Sequence, residues 1–346
     1  MSRPTETTIR TEVLSAQYQG VICDLDGVVY RGATPVPGAV DAVNQVTTDG
    51  IPVVFATNNA SRSPDTVGDH LRELGIGRPG WSVVTSSQAA AAYLAERLPR
   101  QTPVYAVGGP GVAQALTEVG LAPVRVSEVA GTSVEAVVQG LGIDVTWREL
   151  AEVAHLVQGG TTWVATNLDL MLPTSRGPAP GNGALVAAVQ TATTVRPHVV
   201  GKPGAALFVL ARSRLGTEQA ETLVCGDRLD TDIEGANAAG LDSLLVLSGA
   251  SRLQDLAFAA PSARPTYVAS DLTGLLEPGV CLRAAPGDLV ELMPDAVLHI
   301  RGDAERGRLL SSVVATTWAA RDAGRAVSDD FGMWRRLEGQ LGLTRL

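Results

Sequence analysis

The chain has 346 residues, 45% of them hydrophobic and 18% charged, a globular balance that excludes extensive disorder and leaves room for two domains. A net charge of −9 argues against a nucleic-acid or anionic-membrane partner, and no apolar run approaches the roughly 18 residues of a membrane span. Three cysteines, Cys23, Cys225 and Cys281, make no disulfide framework and point to the cytoplasm. The 27 basic residues are 26 arginines and one lysine, Lys202.

The first 20 residues lack the apolar core of a signal peptide and read as a short leader. Strands are then expected at residues 21–23 and 53–56, with a helix over 37–48 between them. A second α/β unit follows, with strands near 104–107, 136–138 and 162–165 and a capping box from Thr146 to Glu149 opening a helix that runs to Val157. Within it, Trp147 and Trp163 are expected in the core. Gly181-Asn182-Gly183 precedes a helix over 184–192, as a plain turn or as a source of backbone amides for an anion. After residue 195 the earlier rhythm resumes: a strand at 199–200, a helix over 205–215, a strand at 222–225, a helix over 232–239 stopped by Gly240, and a strand at 243–247. Beyond about residue 280 the pattern changes, ending in a helix over 304–323 with Leu309, Leu310, Val313, Val314 and Thr317 on one face. Alternating strands and helices favour an α/β architecture with a mainly parallel sheet.

Ligands of open α/β sheets bind beyond the carboxyl ends of the strands, and the unusual polar groups of this chain sit there. Asp24 and Asp26 follow the first strand in "VICDLDGVVYRG"; Thr57, Asn58 and Asn59 follow the second; Lys202 follows the third; Asp227, Asp230 and Asp232 follow the fourth in "CGDRLDTDI". Two carboxylates as close as Asp24 and Asp26 need a cation, must share a proton, or splay into water as an ordinary turn. Hard oxygen donors suit Mg²⁺ completed by phosphate oxygens. His70, His155, His198 and His299 are scattered and make no zinc site.

The set Asp24-x-Asp26-Gly27-Val28, Thr57-Asn58-Asn59, Lys202-Pro203 and Gly226-Asp227-Arg228-x-x-Thr231-Asp232 resembles the four motifs of the haloacid dehalogenase superfamily. The resemblance covers about residues 18–275. It lies with the phosphatases whose C2-type cap is inserted between the second and third motifs, and "VATNLDLMLPTSRG" and "APGNGALVAAV" are similar to the end of such a cap. It implies a Rossmann-like core of residues 1–85 and 196–279, an α/β cap of residues 86–195, and a small C-terminal α/β appendage of residues 280–346. It further implies that Asp24 is the nucleophile, Asp26 the general acid and base, and Lys202 the charge that neutralises nucleophile and phosphate. Thr57 and the amides of Asn58 and Asn59 would hold phosphoryl oxygens. Mg²⁺ would be held by Asp24, the Asp26 carbonyl, Asp227 and Asp232. Arg228 and Asp230 are expected to orient the following helix, and Asn59 to bind phosphate or brace its loop.

The expected activity is that of a Mg²⁺-dependent phosphomonoesterase working through an aspartyl phosphate on a small phosphorylated alcohol, glycerol 3-phosphate first. 2-Phosphoglycolate, pyridoxal phosphate and nucleotides are the alternatives. A non-catalytic phospho-ligand-binding or regulatory module is the reading from another class, against which the intact pair Asp24 and Asp26 argues. Two features depart from the family: Asp144 comes later than the usual turn of related caps, and the tail has no place in the phosphatase pattern. Residues 321–326 of the tail resemble the Arg-x-x-Gly-x-Ala pyrophosphate loop of acetyltransferases, although a structural appendage or a homodimer surface is the expectation.

Overall fold

The computed structural model describes residues 12–343 apart from 78, 173, 175, 280, 283–288 and 303, so most of the expected leader lies outside the described residues. By its contacts the chain forms two compact units, one of Met1–Val53, Ile76–Trp81 and Leu215–Leu346, the other of Val54–Gly75 and Ser82–Arg214.

In the first unit four strands lie parallel in the order Tyr267–Ala269, Asp242–Val246, Thr222–Gly226 and Gly20–Cys23. Every residue of Gly20–Cys23 and Thr222–Gly226 is buried, which is why both read as continuous apolar runs rather than alternating ones. Val21 N–H donates to the Pro52 carbonyl at 3.0 Å and Val53 N–H to that of Gly80 at 2.9 Å, so the chain entering its next two strands extends this sheet. Cys23 faces Cys225 in register, and the Asp24 N–H donates to the Cys225 carbonyl at 2.8 Å. The acidic ends of two neighbouring strands therefore emerge side by side.

One element differs from expectation. The segment read as the start of a helix at Asp232 is a π-helical turn, Leu229–Ile233, and only then does an α-helix run over Glu234–Ala238. Gly240, at φ +71°, ends it as foreseen, since a left-handed residue after a helix favours glycine.

The tail packs into the first unit. A hairpin pairs Val290–Leu292 with Leu298–Ile300, and the helices Arg306–Asp322 and Phe331–Gln340 follow. Leu310, Val313, Val314 and Trp318 share one apolar core with Leu245, Leu253, Leu256 and Val268, and Leu309 packs against its rim. Arg321 and Gly324 of the acetyltransferase-like stretch lie at a helix C-terminus, where carbonyls rather than N–H groups are presented, the wrong end for a pyrophosphate. Arg321 lies 4.8 Å from the Phe258 ring centroid, and Asp322 pairs with Arg264. The stretch serves packing.

The second unit holds a parallel five-stranded sheet in the order His198–Val199, Thr162–Ala165, Ala136–Gln139, Pro103–Val107 and Ala122–Val124. The strand before Lys202 thus runs one residue earlier than expected and pairs with Thr162–Ala165. Thr146 and Glu149 form the expected capping box on the helix Trp147–Gln158. Trp163 is buried, its indole N–H donating to Gln139 Oε1 at 3.2 Å. Trp147 is a correction: at the first helical position its side chain is 82% exposed. Among the described residues no helix is long and apolar enough to cross a membrane.

Candidate active site

In the first unit, Asp24, Asp227 and Asp232 each place a carboxylate oxygen within 4.8 Å of the other two. Asp227 and Asp232 are buried and Asp24 is half-buried. Three like-charged groups so close together repel one another, and a cation among them relieves that repulsion. An oxygen-only set of this kind is a magnesium centre rather than a zinc site.

Glycines make the room. A Cβ on Gly27, which adopts φ +86°, would lie 2.4 Å from Asp227 Oδ2, and one on Gly226 would lie 2.2 Å from the Asp232 Cβ. The Asp227 carboxylate accepts the Ala250 N–H at 2.5 Å, the Asp227 carbonyl accepts the Ser251 N–H at 3.1 Å, and Asp232 accepts the Arg228 N–H at 3.2 Å. Both carboxylates are thus held by backbone donors before any metal arrives. Ser248 Oγ donates to the Gly27 carbonyl at 2.8 Å, tying the loop of Gly249 and Ala250 to that of the nucleophile.

The Asp26 carboxyl stands outside this cluster and is more open than that of Asp24. Burial of its covered part holds it above the ordinary carboxylate range, opposed by hydrogen bonds from Gly32 and Gly27 and by the Arg31 charge. A raised carboxyl is what a general acid requires. Asp230 is bound by Arg228 through two hydrogen bonds, at 2.8 and 3.0 Å, and chiefly for that reason titrates low. These two residues brace the π turn. Burial, with Asp232 nearby, pushes the Cys225 thiol far up, as for an unreactive core residue.

The second unit holds the remaining candidates. Thr57 is buried, and its Oγ accepts the Asn59 N–H at 3.0 Å, leaving the hydroxyl proton to donate. Asn59 Oδ1 accepts both the N–H (3.0 Å) and the hydroxyl (2.7 Å) of Ser61, so this side chain braces its loop. Lys202 is buried. Its N–H donates to Asn58 Oδ1 at 2.8 Å, while Asn58 Nδ2 donates to the Lys202 carbonyl at 3.1 Å and to Asp169 Oδ2 at 3.2 Å. In the Gly181-Asn182-Gly183 turn both glycine amides are engaged within the protein, the Gly181 and Gly183 N–H donating to the carbonyls of Leu170 and Asp169, both at 2.9 Å.

Asp169 escaped the sequence reading, as did Gly249 and Ala250. A signal for the first was present: Ala165-Thr166-Asn167 after one strand repeats Ala56-Thr57-Asn58 after another. Asn167 Nδ2 donates to the Asn58 carbonyl at 2.7 Å, so the two copies meet.

Parallel sheets, carboxylates at strand ends and a divalent-cation pocket define a metal-dependent α/β hydrolase. Residues 21–122 match the family model for haloacid dehalogenase-like hydrolases and residues 199–275 a HAD-hydrolase-like model. The chain is 46% identical over 273 residues to the D-glycerol 3-phosphate phosphatase of Mycobacterium tuberculosis, covering 79% of this chain and 75% of that protein. It is 38% identical over 256 residues to an acid sugar phosphatase of Staphylococcus aureus, covering 74% and 96%. Among solved structures it resembles the glycerol phosphate phosphatase of Mycobacterium tuberculosis in complex with magnesium, at TM-score 0.84 and 39% identity, over 96% of this chain and 100% of that one, a span that takes in most of the tail and corrects the expectation that the tail has no counterpart among such phosphatases. It also resembles the 4-nitrophenylphosphatase of Thermotoga maritima, at TM-score 0.69 and 27% identity, over 76% and 97%. The chain belongs to the haloacid dehalogenase-like hydrolases. It is a phosphatase of that family, which sets aside the reading as a non-catalytic module.

Proposed function

We propose that the chain hydrolyses glycerol 3-phosphate in the cytoplasm with Mg²⁺ as cofactor. The reaction rests on the carboxylate cluster of Asp24, Asp227 and Asp232. The substrate rests on the 46% identity to a relative named for it, and the cytoplasm on free cysteines, two of them buried. The division into a core of residues 1–85 and 196–279, a cap of 86–195 and a tail is kept as part of this reading; the family matches run over 21–122 and 199–275, and the stretch between them falls largely within the proposed cap. A free metabolite is the partner, without nucleic acid or membrane. A homodimer contact is supported by the exposure of Ile143 and Trp147.

Asp24 attacks phosphorus and becomes an aspartyl phosphate, so that one hard displacement becomes two easier ones. Asp26, with its raised carboxyl, gives its proton to the departing alcohol and then takes one from the hydrolytic water. Asp24, Asp227, Asp232 and the Asp26 carbonyl would hold Mg²⁺, whose chemistry is to draw off phosphoryl charge and allow Asp24 to remain a carboxylate among its neighbours. The Thr57 hydroxyl and the backbone amide of Asn58 hold phosphoryl oxygens, whereas the Asn59 N–H is engaged by Thr57 Oγ and orients that hydroxyl, and the Lys202 ammonium neutralises nucleophile and phosphate.

Phosphate release from glycerol 3-phosphate, 2-phosphoglycolate, pyridoxal phosphate and nucleoside monophosphates tests this, with Mg²⁺ and with EDTA. We expect glycerol 3-phosphate to lead the panel by at least about tenfold in kcat/KM, roughly 1.4 kcal/mol of transition-state preference, and EDTA to abolish turnover. A different ester in first place overturns the substrate; turnover that survives EDTA overturns the metal-assisted reaction.

A further inference from the structure

The side chain of Asn58 is fully engaged, and by a backbone far away in sequence. A carboxamide has two protons to donate and one oxygen to accept with. Both donor contacts of Asn58 go to protein oxygens, the Lys202 carbonyl at 3.1 Å and Asp169 Oδ2 at 3.2 Å, and its oxygen takes the Lys202 N–H at 2.8 Å. Binding the N–H and the carbonyl of one residue copies the paired exchange between antiparallel strands, here performed by a side chain.

The surroundings hold that arrangement. The Asn58 carbonyl accepts from Asn167 Nδ2 and from Ser86 Oγ, both at 2.7 Å. Asp169 N–H donates to Asn167 Oδ1 at 3.2 Å, so the carboxylate rides on the same support. A Cβ on Gly201 would stand 2.7 Å from Asn58 Oδ1 and 2.1 Å from the Thr166 carbonyl, so the clamp closes only because the residue before Lys202 has no side chain. Asp169, an acceptor when ionised, also fixes which end of the amide faces which partner, since only the NH₂ end can face a carboxylate.

We propose that Asn58 and Asp169 are positioning residues, which set the Lys202 backbone so that its ammonium starts from one fixed point, and that the Asn58 side chain is not a phosphate ligand. This rests on the reading of Lys202 as a site residue and leaves the backbone amide as the part of Asn58 that meets phosphate. A lysine stem has four rotatable carbons, and a misplacement of about 1 Å can cost on the order of 100-fold in rate. Fixing the root of the side chain is the share of that precision the backbone can supply.

Two measurements on the full chain test it. The first is a kinetic cycle with Mg²⁺ and glycerol 3-phosphate on the parent, Asn58→Ala, Lys202→Ala and the double variant. Acting through Lys202, the Asn58 change lowers kcat/KM at least about 30-fold alone but less than about threefold in the Lys202→Ala background. Equal losses in both backgrounds would make Asn58 a direct ligand and overturn the proposal. Asp169→Ala is expected to lose about tenfold and Asp169→Asn, which keeps an oxygen for the Asn58 amide, to recover most of it; equal losses remove Asp169 from the role. The second measurement needs no turnover. Because Lys202 is the one lysine of the chain, acylation of its ε-amine by an amine-directed reagent can be followed peptide by peptide. Its rate should rise at least about tenfold in Asn58→Ala and in Asp169→Ala, and stay near the parent's in Asp169→Asn. An unchanged rate in both alanine variants overturns the positioning role, even if the parent hydrolyses none of the esters, a result that would count against the proposed function alone. Should Asn58→Ala fail to fold, the Asp169 pair carries the comparison.

Discussion

A Cβ on Gly249 would stand 1.9 Å from Asp227 Oδ2, closer than any nonbonded contact allows, while the next residue, Ala250, donates its N–H to the same oxygen at 2.5 Å. The loop and the carboxylate are thus fitted to each other. Gly249→Ala should push the Asp227 carboxylate off its backbone donor. The expected result is a rise of at least about tenfold in the Mg²⁺ concentration giving half-maximal activity, about 1.4 kcal/mol. A Mg²⁺ titration of phosphate release reads it, and an unchanged midpoint contradicts the fit.

Asp24→Asn keeps the shape of the side chain and removes its nucleophilicity. Turnover should fall at least about a thousandfold, or about 4 kcal/mol, with the fold retained in circular dichroism. Steady turnover within about tenfold of the parent would take Asp24 out of the nucleophile's role.

Lys202→Arg tests whether the charge needs a shape. The lysine is buried, and a guanidinium is bulkier, with donors fixed in a planar fork. We expect a loss of at least about 100-fold in kcat/KM, about 2.7 kcal/mol, with the melting temperature nearly unchanged. Near-normal kinetics would show that any cation serves.

Arg264 donates to both carboxylate oxygens of Asp322, at 2.6 and 2.7 Å, and its guanidinium carbon lies 4.9 Å from the centroid of the Trp318 ring. The hydrogen bonds from Arg264 hold the Asp322 carboxyl below its ordinary value. A depressed folded-state value means that the stabilisation is fully present above the unfolded carboxylate range, near pH 4, and fades as pH falls through the folded value. Asp322→Asn should lower the melting temperature by about one or two degrees at pH 7, as befits an exposed pair. The difference from the parent should close in acid below about pH 3; a gap that persists there would assign the effect to packing.

How far the sequence spoke can be judged from single residues. Asp24 and Asp227 were legible because buried parallel strands print as unbroken apolar runs, and a carboxylate at the end of such a run stands out. The π turn at Leu229–Ile233 was not: one extra residue in a helical turn leaves the spacing of Leu229 and Ile233 compatible with an ordinary helix. Trp147 misled because a large apolar residue beside a capping box suggests a core, whereas the first helical position projects from the end. The task of Asn58 was out of reach, since its partners Asp169 and Lys202 are 111 and 144 residues away and only folding brings them together. Gly249 looked like one glycine among 37 until the nearby carboxylate was in place.

The family match ends at residue 275, but the apolar core does not. The strand Tyr267–Ala269 is the last of its sheet on that side, and the helix Arg306–Asp322 packs against it. An outermost strand carries a row of open N–H and C=O groups that can recruit a second chain. Severing the polypeptide at residue 275 would bare Val268, Leu253 and Leu256 beside that row, and the shortened protein would aggregate rather than work as a smaller enzyme. Proteolysis in this segment would accordingly be a route to inactivation that never touches a catalytic group.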